Sequence, residues 1–235
     1  MKDVFRKDMY QVTPSLITLD MLNVYNQVKE LEENGVNMLH IDILDGHFSS
    51  SMPLGFEMVK QLKAKTNLAF DCHIMTDPPE YFVDELINIG VEQIVFHMET
   101  ADHVDGLLNK IHNAGIRAGV ALKPSTPITE LEYIIDKCDI VMLMLINPGY
   151  ASSAGESQVP YAERKVADLR DIIERRNPST LISVDGRISL KNMEDFPKYG
   201  VNLYVGGTTC IKRDDISGSI KRINEALAKG LSQKQ

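Results

Sequence analysis

A short β-rich run followed by a longer amphipathic stretch recurs eight times along this chain, and that recurrence constrains the fold more than any other feature. The runs fall at residues 11–17, 37–43, 68–73, 93–97, 118–122, 140–145, 181–184 and 203–205. Their spacing of roughly 20 to 35 residues leaves room for one crossover helix plus loops. Helical stretches are read at 21–34, 79–89, 104–113, 128–137 and 161–175. The first presents Leu22, Val24, Val28 and Leu31 at helical spacing and stops before Gly35. The stretch at 128–137 follows Ser125-Thr126-Pro127, a cap with an early proline. Strands alternating with helices predict a parallel α/β protein. Eight such units in 235 residues predict a single-domain (β/α)8 TIM barrel over residues 11–228, with an N-terminal extension (1–10) and a C-terminal tail (229–235). An open doubly wound sheet is the alternative. No Gly-x-Gly-x-x-Gly follows the first run, which weakens its dinucleotide-binding form.

No linker or low-complexity tract divides the chain. Twenty-five Lys+Arg against 33 Asp+Glu give a net charge of −8. A broad nucleic-acid surface is therefore not expected, although backbone amides can still bind a local phosphate. Cys72, Cys138 and Cys210 are odd in number, far apart and without Cys-x-x-Cys spacing. They suit a reducing compartment rather than a disulfide framework. The N-terminal stretch lacks an apolar signal core, and no apolar run is long enough to span a bilayer. The expectation is a soluble cytoplasmic protein without membrane or nucleic-acid partners.

Barrel chemistry sits at the C-terminal ends of the strands, and ionisable residues gather there. The second run ends His40-Ile41-Asp42, the third Asp71-Cys72-His73, the fourth His97-Met98-Glu99 and the seventh Val184-Asp185-Gly186. In the first three, spacing i, i+2 places both members on one side of the strand. Each residue alone fits a satisfied core polar group or a turn. Together, His40, Asp42, His73 and Asp185 are costly to gather in one barrel mouth unless a cation or mutual pairing compensates. Two imidazoles and two carboxylates suit a divalent transition metal. Asp71 reads either as a support for a ligating histidine or as structural, His97 and Glu99 as a structural hydrogen-bonded pair, and His47 as a loop-shaping residue.

Glycine-centred turns follow the last three runs: Asn147-Pro148-Gly149-Tyr150, Asp185-Gly186-Arg187 and Gly206-Gly207-Thr208-Thr209. Loops in this part of a barrel commonly hold phosphate through backbone N–H groups. Arg187 and Lys212 either add charge there or are solvated surface residues. A cation site beside an anion clamp suggests a small phosphorylated substrate.

These residues carry a resemblance to the ribulose-phosphate 3-epimerase family, which includes allulose-6-phosphate 3-epimerases. The segments are Pro14-Ser15-Leu16, the run from His40 through Asp42, Asp45 and Gly46 to Phe48, Asp71-Cys72-His73-Ile74-Met75, Phe96-His97-Met98-Glu99, Ala121-Leu122-Lys123-Pro124, the run from Met144 to Gly149, Val184-Asp185-Gly186 and Gly207-Thr208. They run in family order across nearly the whole chain. The resemblance implies a TIM barrel that inverts C3 of a ketose phosphate: ribulose 5-phosphate to xylulose 5-phosphate, or allulose 6-phosphate to fructose 6-phosphate. It implies one divalent metal (Zn, Fe(II), Mn or Co) on His40, Asp42, His73 and Asp185. It makes Asp42 and Asp185 the acid and base on opposite faces of a cis-enediolate. Ser15 and His73 would contact substrate, Met75 and Met144 would wall the reacting carbon, and Gly149, Gly186, Gly207 and Thr208 would lie in phosphate-binding segments. Without the family pattern both methionines read as core filler. The partners implied are a small-molecule ketose phosphate and a second or further copies of the chain, as dimer or hexamer.

Departures from the family pattern sit around the sugar and phosphate. Ser49-Ser50-Ser51 replaces Val-Pro-Asn, Leu44 replaces a methionine, the loop after Gly149 is lengthened, and Arg187 replaces the second glycine of Asp-Gly-Gly. Arg187 is therefore counted with the substrate-binding residues. Two other functions are compatible with such a barrel: a related phosphate-binding lyase or decarboxylase, and a non-catalytic sugar-phosphate binding protein. The first lacks its Asp-x-Lys-x-x-Asp motif here, since the segment reads His40-Ile41-Asp42-Ile43-Leu44-Asp45, although Lys123 ends the fifth run. Intact Asp42 and Asp185 argue against the second.

Overall fold

A computed structural model describes residues 4–149 and 155–233 of the chain. Eight strands form one sheet in the order β1-β8-β7-β6-β5-β4-β3-β2, every adjacent pair parallel. The strands are β1 (Gln11–Pro14), β2 (Met38–Leu44), β3 (Ala69–Met75), β4 (Gln93–His97), β5 (Arg117–Leu122), β6 (Ile140–Met144), β7 (Leu181–Asp185) and β8 (Val201–Gly206). A parallel bridge between Ser15 and His40 joins the two ends of the sheet and closes the barrel. Outside it lie α1 (Val24–Glu33), α2 (Phe56–Lys63), α3 (Glu80–Ile89), α4 (Val104–Asn113), α5 (Ala162–Arg176), α6 (Leu190–Asp195) and α7 (Ile216–Ser232). The TIM barrel expected from the eightfold recurrence is thus the fold. Among the described residues no helix is long and apolar enough to cross a membrane.

Two expected elements take another form. β1 stops at Pro14, which has no N–H for the ladder, and the chain turns into a 3-10 segment at Leu16–Thr18. The helix expected at 128–137 is instead two 3-10 turns, Ile128–Leu131 and Ile135–Lys137. Its apolar residues Ile128, Leu131 and Ile134 recur every third position, which matches three residues per turn better than 3.6. The helices α2, α6 and α7 went unnoticed in the sequence. Their amphipathic faces bury Val59 and Leu62, Met193, and a longer stripe through Ile216, Ile220 and Ile223.

Strand alternation divides the core into two clusters. Leu39, Ile41 and Ile43 of β2 point outward and pack with helix residues such as Val28, Leu31 and Val59. Met38 of the same strand points inward with Ala69, Val95, Ala121, Ile140, Met142, Leu181 and Leu203. The N-terminal segment closes the floor of this inner cluster. Val4 is buried in it and Phe5 packs against it. The Arg117 guanidinium lies 4.9 Å from the Phe5 ring centroid. Asn202 Nδ2 donates to the carbonyls of Lys7 (2.9 Å) and Met9 (3.2 Å), holding the segment in place.

Candidate active site and metal centre

Above the apolar floor the same inward parity delivers polar side chains. In β2 the inward positions after Met38 are His40 and Asp42, and in β3 after Ala69 they are Asp71 and His73. The register pairs His40 with Asp71 and Asp42 with His73. Across the barrel, β6 and β7 pair Met144 with Asp185. His40, Asp71 and His73 are fully buried and Asp42 nearly so.

His40, Asp42, His73 and Asp185 each offer one ligand atom, and these atoms lie within 4.8 Å of one another. His40 Nε2 is 3.3 Å from Asp42 Oδ1. His73 Nδ1 is 3.6 Å from Asp42 Oδ1 and 3.6 Å from Asp185 Oδ2. Neither nitrogen makes a hydrogen bond, although both are buried. Two orphaned imidazole nitrogens facing two carboxylates fit a divalent cation, which needs neutral nitrogen and anionic oxygen donors. The electrostatics agree. Burial opposes charge on His40, but the Asp42 and Asp71 carboxylates outweigh it and hold its pKa well above the ordinary value. Burial would raise the Asp42 carboxyl, yet His40 and His73 hold it far below the usual range. The site is a concentrated negative field that a cation would neutralise.

Supporting groups orient these side chains. His40 Nδ1 lies 2.9 Å from Asp71 Oδ2, and Gln93 Nε2 donates to Asp71 Oδ1 at 2.7 Å. In the neutral ring that a cation requires, that bond keeps the His40 proton on Nδ1 and leaves the lone pair on Nε2, toward the cluster. Gln93 was missed in the sequence, where the signal was an amide opening the strand four residues before His97. Ser15 Oγ donates to Asp42 Oδ2 at 2.5 Å. His47 is exposed, and its backbone N–H, with that of Phe48, donates to Asp45 Oδ1 (2.8 Å each), so Asp45 caps this turn.

One cavity of about 290 Å³ opens over the cluster, lined among others by Ser15, Asp42, Met75, Met144 and Asp185. Its far side is formed by Gly149, Gly186, Arg187, Gly207, Thr208 and Thr209. Of the catalytic, metal and substrate residues expected from the sequence, all but His40 and His73 therefore line the cavity, and those two lie beneath it. Gly186 (φ +110°) cannot be replaced cheaply, because a Cβ would stand 2.9 Å from the backbone nitrogen of Ile146. Gly149 (φ +82°) packs on Ser49, and Ser51 reaches the cavity, so the Ser49–Ser50–Ser51 departure does border the site. Arg187 takes φ +50°, a conformation that glycine would adopt without a side-chain penalty. Residues 150–154 of the lengthened loop lie outside the described residues. Of the adjacent cations at the end of the last loop, Arg213 lines the cavity, its Nε donating to the Thr18 carbonyl at 2.6 Å. Lys212, the residue noticed in the sequence, instead donates to the Thr208 carbonyl at 3.2 Å. Nothing in the linear pattern separates the two.

Comparison with known proteins matches the sequence of this chain to one family. The chloroplastic ribulose-5-phosphate-3-epimerase of Arabidopsis thaliana is 31% identical over 223 residues, covering 94% of this chain and 78% of the relative. The ribulose-phosphate 3-epimerase of Bacillus subtilis (strain 168) is 29% identical, covering 92% and 98%. Among solved structures, KGPDC from Streptococcus mutans aligns with a TM-score of 0.71 at 12% identity over 94% of this chain and 98% of that one. The 3-hexulose-6-phosphate synthase of Salmonella typhimurium aligns with a TM-score of 0.69 at 13% identity, over 96% and 100%. At such identities these two structures share the fold alone. Residues 11–211 match the model of the ribulose-phosphate 3 epimerase family, and the chain belongs to that family.

Proposed function

We propose that this protein is a metal-dependent ketose-phosphate 3-epimerase acting on ribulose 5-phosphate and xylulose 5-phosphate, or on allulose 6-phosphate and fructose 6-phosphate. The observation that carries the reading is the convergence of His40, Asp42, His73 and Asp185 within 4.8 Å beneath a cavity that Asp42 and Asp185 both line. The family assignment supports the same reaction class.

The difficulty of the reaction is the weak acidity of a C–H bond beside a ketone. A divalent ion (Zn, Fe(II), Mn or Co) held by these four residues supplies Lewis-acid stabilisation of the negative charge that develops on the substrate oxygens. The remaining chemistry belongs to the two carboxyls. One of Asp42 and Asp185 is ionised and removes the C3 proton, leaving a planar cis-enediolate. The other begins protonated and returns a proton to the opposite face, so C3 inverts and the two carboxyls exchange protonation states. Ser15, hydrogen-bonded to Asp42, orients that carboxylate and touches substrate. Met75 and Met144 give the reacting carbon a polarizable wall that excludes water. The phosphate lies at the far side, on the segments of Gly149, Gly186, Gly207 and Thr208, with Arg187 and Arg213 adding charge. The three buried free cysteines accord with a cytoplasmic setting.

The test is solvent exchange. In deuterium oxide the protein should wash deuterium into C3 of its substrate. A panel of ribulose 5-phosphate, allulose 6-phosphate and tetrulose phosphates, ranked by kcat/KM, then names the sugar. No exchange with any of them overturns the proposal.

A further inference from the structure

The spacing of His97 and Glu99 suggests a pair with a structural role of its own, but the fold joins that pair to the candidate metal centre. His97 Nε2 lies 3.1 Å from His73 Nε2, and His97 Nδ1 lies 3.0 Å from Glu99 Oε2. Both rings are fully buried. Each contact has room for a single proton, and Glu99 decides where it sits. Its other oxygen, Oε1, accepts the Lys123 backbone N–H at 2.7 Å and the Thr126 hydroxyl. A carboxylate has no proton to donate, so His97 must carry its own on Nδ1. The lone pair of His97 is then on Nε2, where it accepts a proton from His73 Nε2. The lone pair of His73 is consequently on Nδ1, the atom that faces Asp42 and Asp185.

We infer that Glu99 and His97 are positioning residues that set the tautomer of His73, and thereby the affinity of the centre for its divalent cation. The inference rests on the metal reading proposed above. The two ligating histidines are oriented by unlike means. The nitrogen of His40 turned away from the cluster, Nδ1, meets the Asp71 carboxylate directly, whereas the corresponding nitrogen of His73, Nε2, reaches the Glu99 carboxylate only through the His97 imidazole. The longer chain extends to the outer layer. Lys165 of α5 donates to the carbonyls of Lys123 (2.6 Å) and Pro124 (2.8 Å), bracing the loop whose N–H anchors Glu99. Phe48 packs on the other ring of the chain, 4.9 Å from His97.

Glu99→Gln isolates this role because it reverses the polarity of the chain. An amide has one oxygen, and the Lys123 N–H claims it. The amide NH2 then faces His97 Nδ1, which must accept. His97 becomes a donor at Nε2, opposes the proton on His73 Nε2, and drives that proton to Nδ1, where it points into the cation site. Titration with Co2+ by visible absorption, and with Zn2+ by competition, should show Glu99→Gln binding about 10- to 100-fold more weakly than the native protein. Thr126→Ala removes one bond to Glu99 without reversing the chain, so its cation affinity should stay within about threefold. In the Zn2+-loaded native protein, 15N NMR should find the proton of His73 on Nε2 and that of His97 on Nδ1. This spectrum decides the matter even if Glu99→Gln does not fold. Glu99→Gln binding Co2+ within threefold of native, or a His97 proton on Nε2 instead of Nδ1, overturns the inference alone, whereas a His73 proton on Nδ1 removes His73 as a ligand and the inference with it. A native protein that binds neither cation overturns the metal reading and this inference with it.

Discussion

The floor and the mouth of the barrel interior are built by the same strands at the same inward parity, yet they share almost no chemistry. At the floor, Met38, Ala69, Ile140 and Leu181 close on Val4 in an apolar cluster. Two residues further along β2 and β3 the inward positions become His40 and Asp71, and two further still Asp42 and His73. Apolar burial at the floor stabilises the fold without directing a reaction. Under the proposed function the mouth does the reverse. Its buried ionisable groups carry a desolvation cost and are retained where pairing or a cation offsets it. Stability and activity are therefore separable along one strand, within about 13 Å for four residues of extended chain.

Substitutions at the two ends test that separation. The largest catalytic effect is expected at the mouth. Asp42→Asn or Asp185→Asn should lower kcat by about 10²- to 10⁴-fold, with circular dichroism and melting temperature showing an intact fold; near-native turnover in either would remove that residue from the acid–base pair. Prolonged chelation should likewise silence the protein, and addition of Zn2+, Mn2+, Co2+ or Fe2+ should restore turnover. Full activity in protein shown by elemental analysis to be metal-free would break the comparison at its centre. A smaller effect belongs to the far side of the cavity. Arg213 is exposed, so solvent and salt screen its charge. Arg213→Ala should raise KM by about three- to tenfold with kcat nearly unchanged, and the difference should shrink as ionic strength rises. Steady-state kinetics at two salt concentrations check both points. The smallest catalytic effect is expected at the floor. Met38→Ala should cost about 2–5 kcal/mol of stability in denaturant melts, while kcat/KM of the folded fraction stays within about twofold. A large kinetic effect there would show that floor and mouth are coupled.

The site was more legible in the sequence than its supports were. His40 and Asp42, or Asp71 and His73, advertise themselves because i, i+2 spacing on a strand places two side chains on one face. The β-run recurrence likewise revealed all eight strands, since a barrel strand buried on both faces stands out from its polar surroundings. The short helix α6 hid because its six residues show too little periodicity. The stretch at 128–137 misled because an apolar repeat of three resembles a helical one over so few turns. Gln93 and Arg213 were invisible for a different reason, since their roles depend on what the neighbouring strand and its loop bring beside them rather than on what lies along the chain.

By itself, the order of residues determined that eight parallel strands would form, which side chains of each would share a face, and that two histidines and two aspartates would stand at strand ends. Alternation and burial are local properties, readable one strand at a time. Tertiary structure alone decided that His73 reaches Glu99 through His97, that Arg213 rather than Lys212 borders the cavity, and that Val4 closes the floor. Each depends on register between strands and on closure of the sheet, and those distances are set only when segments far apart in the chain pack together.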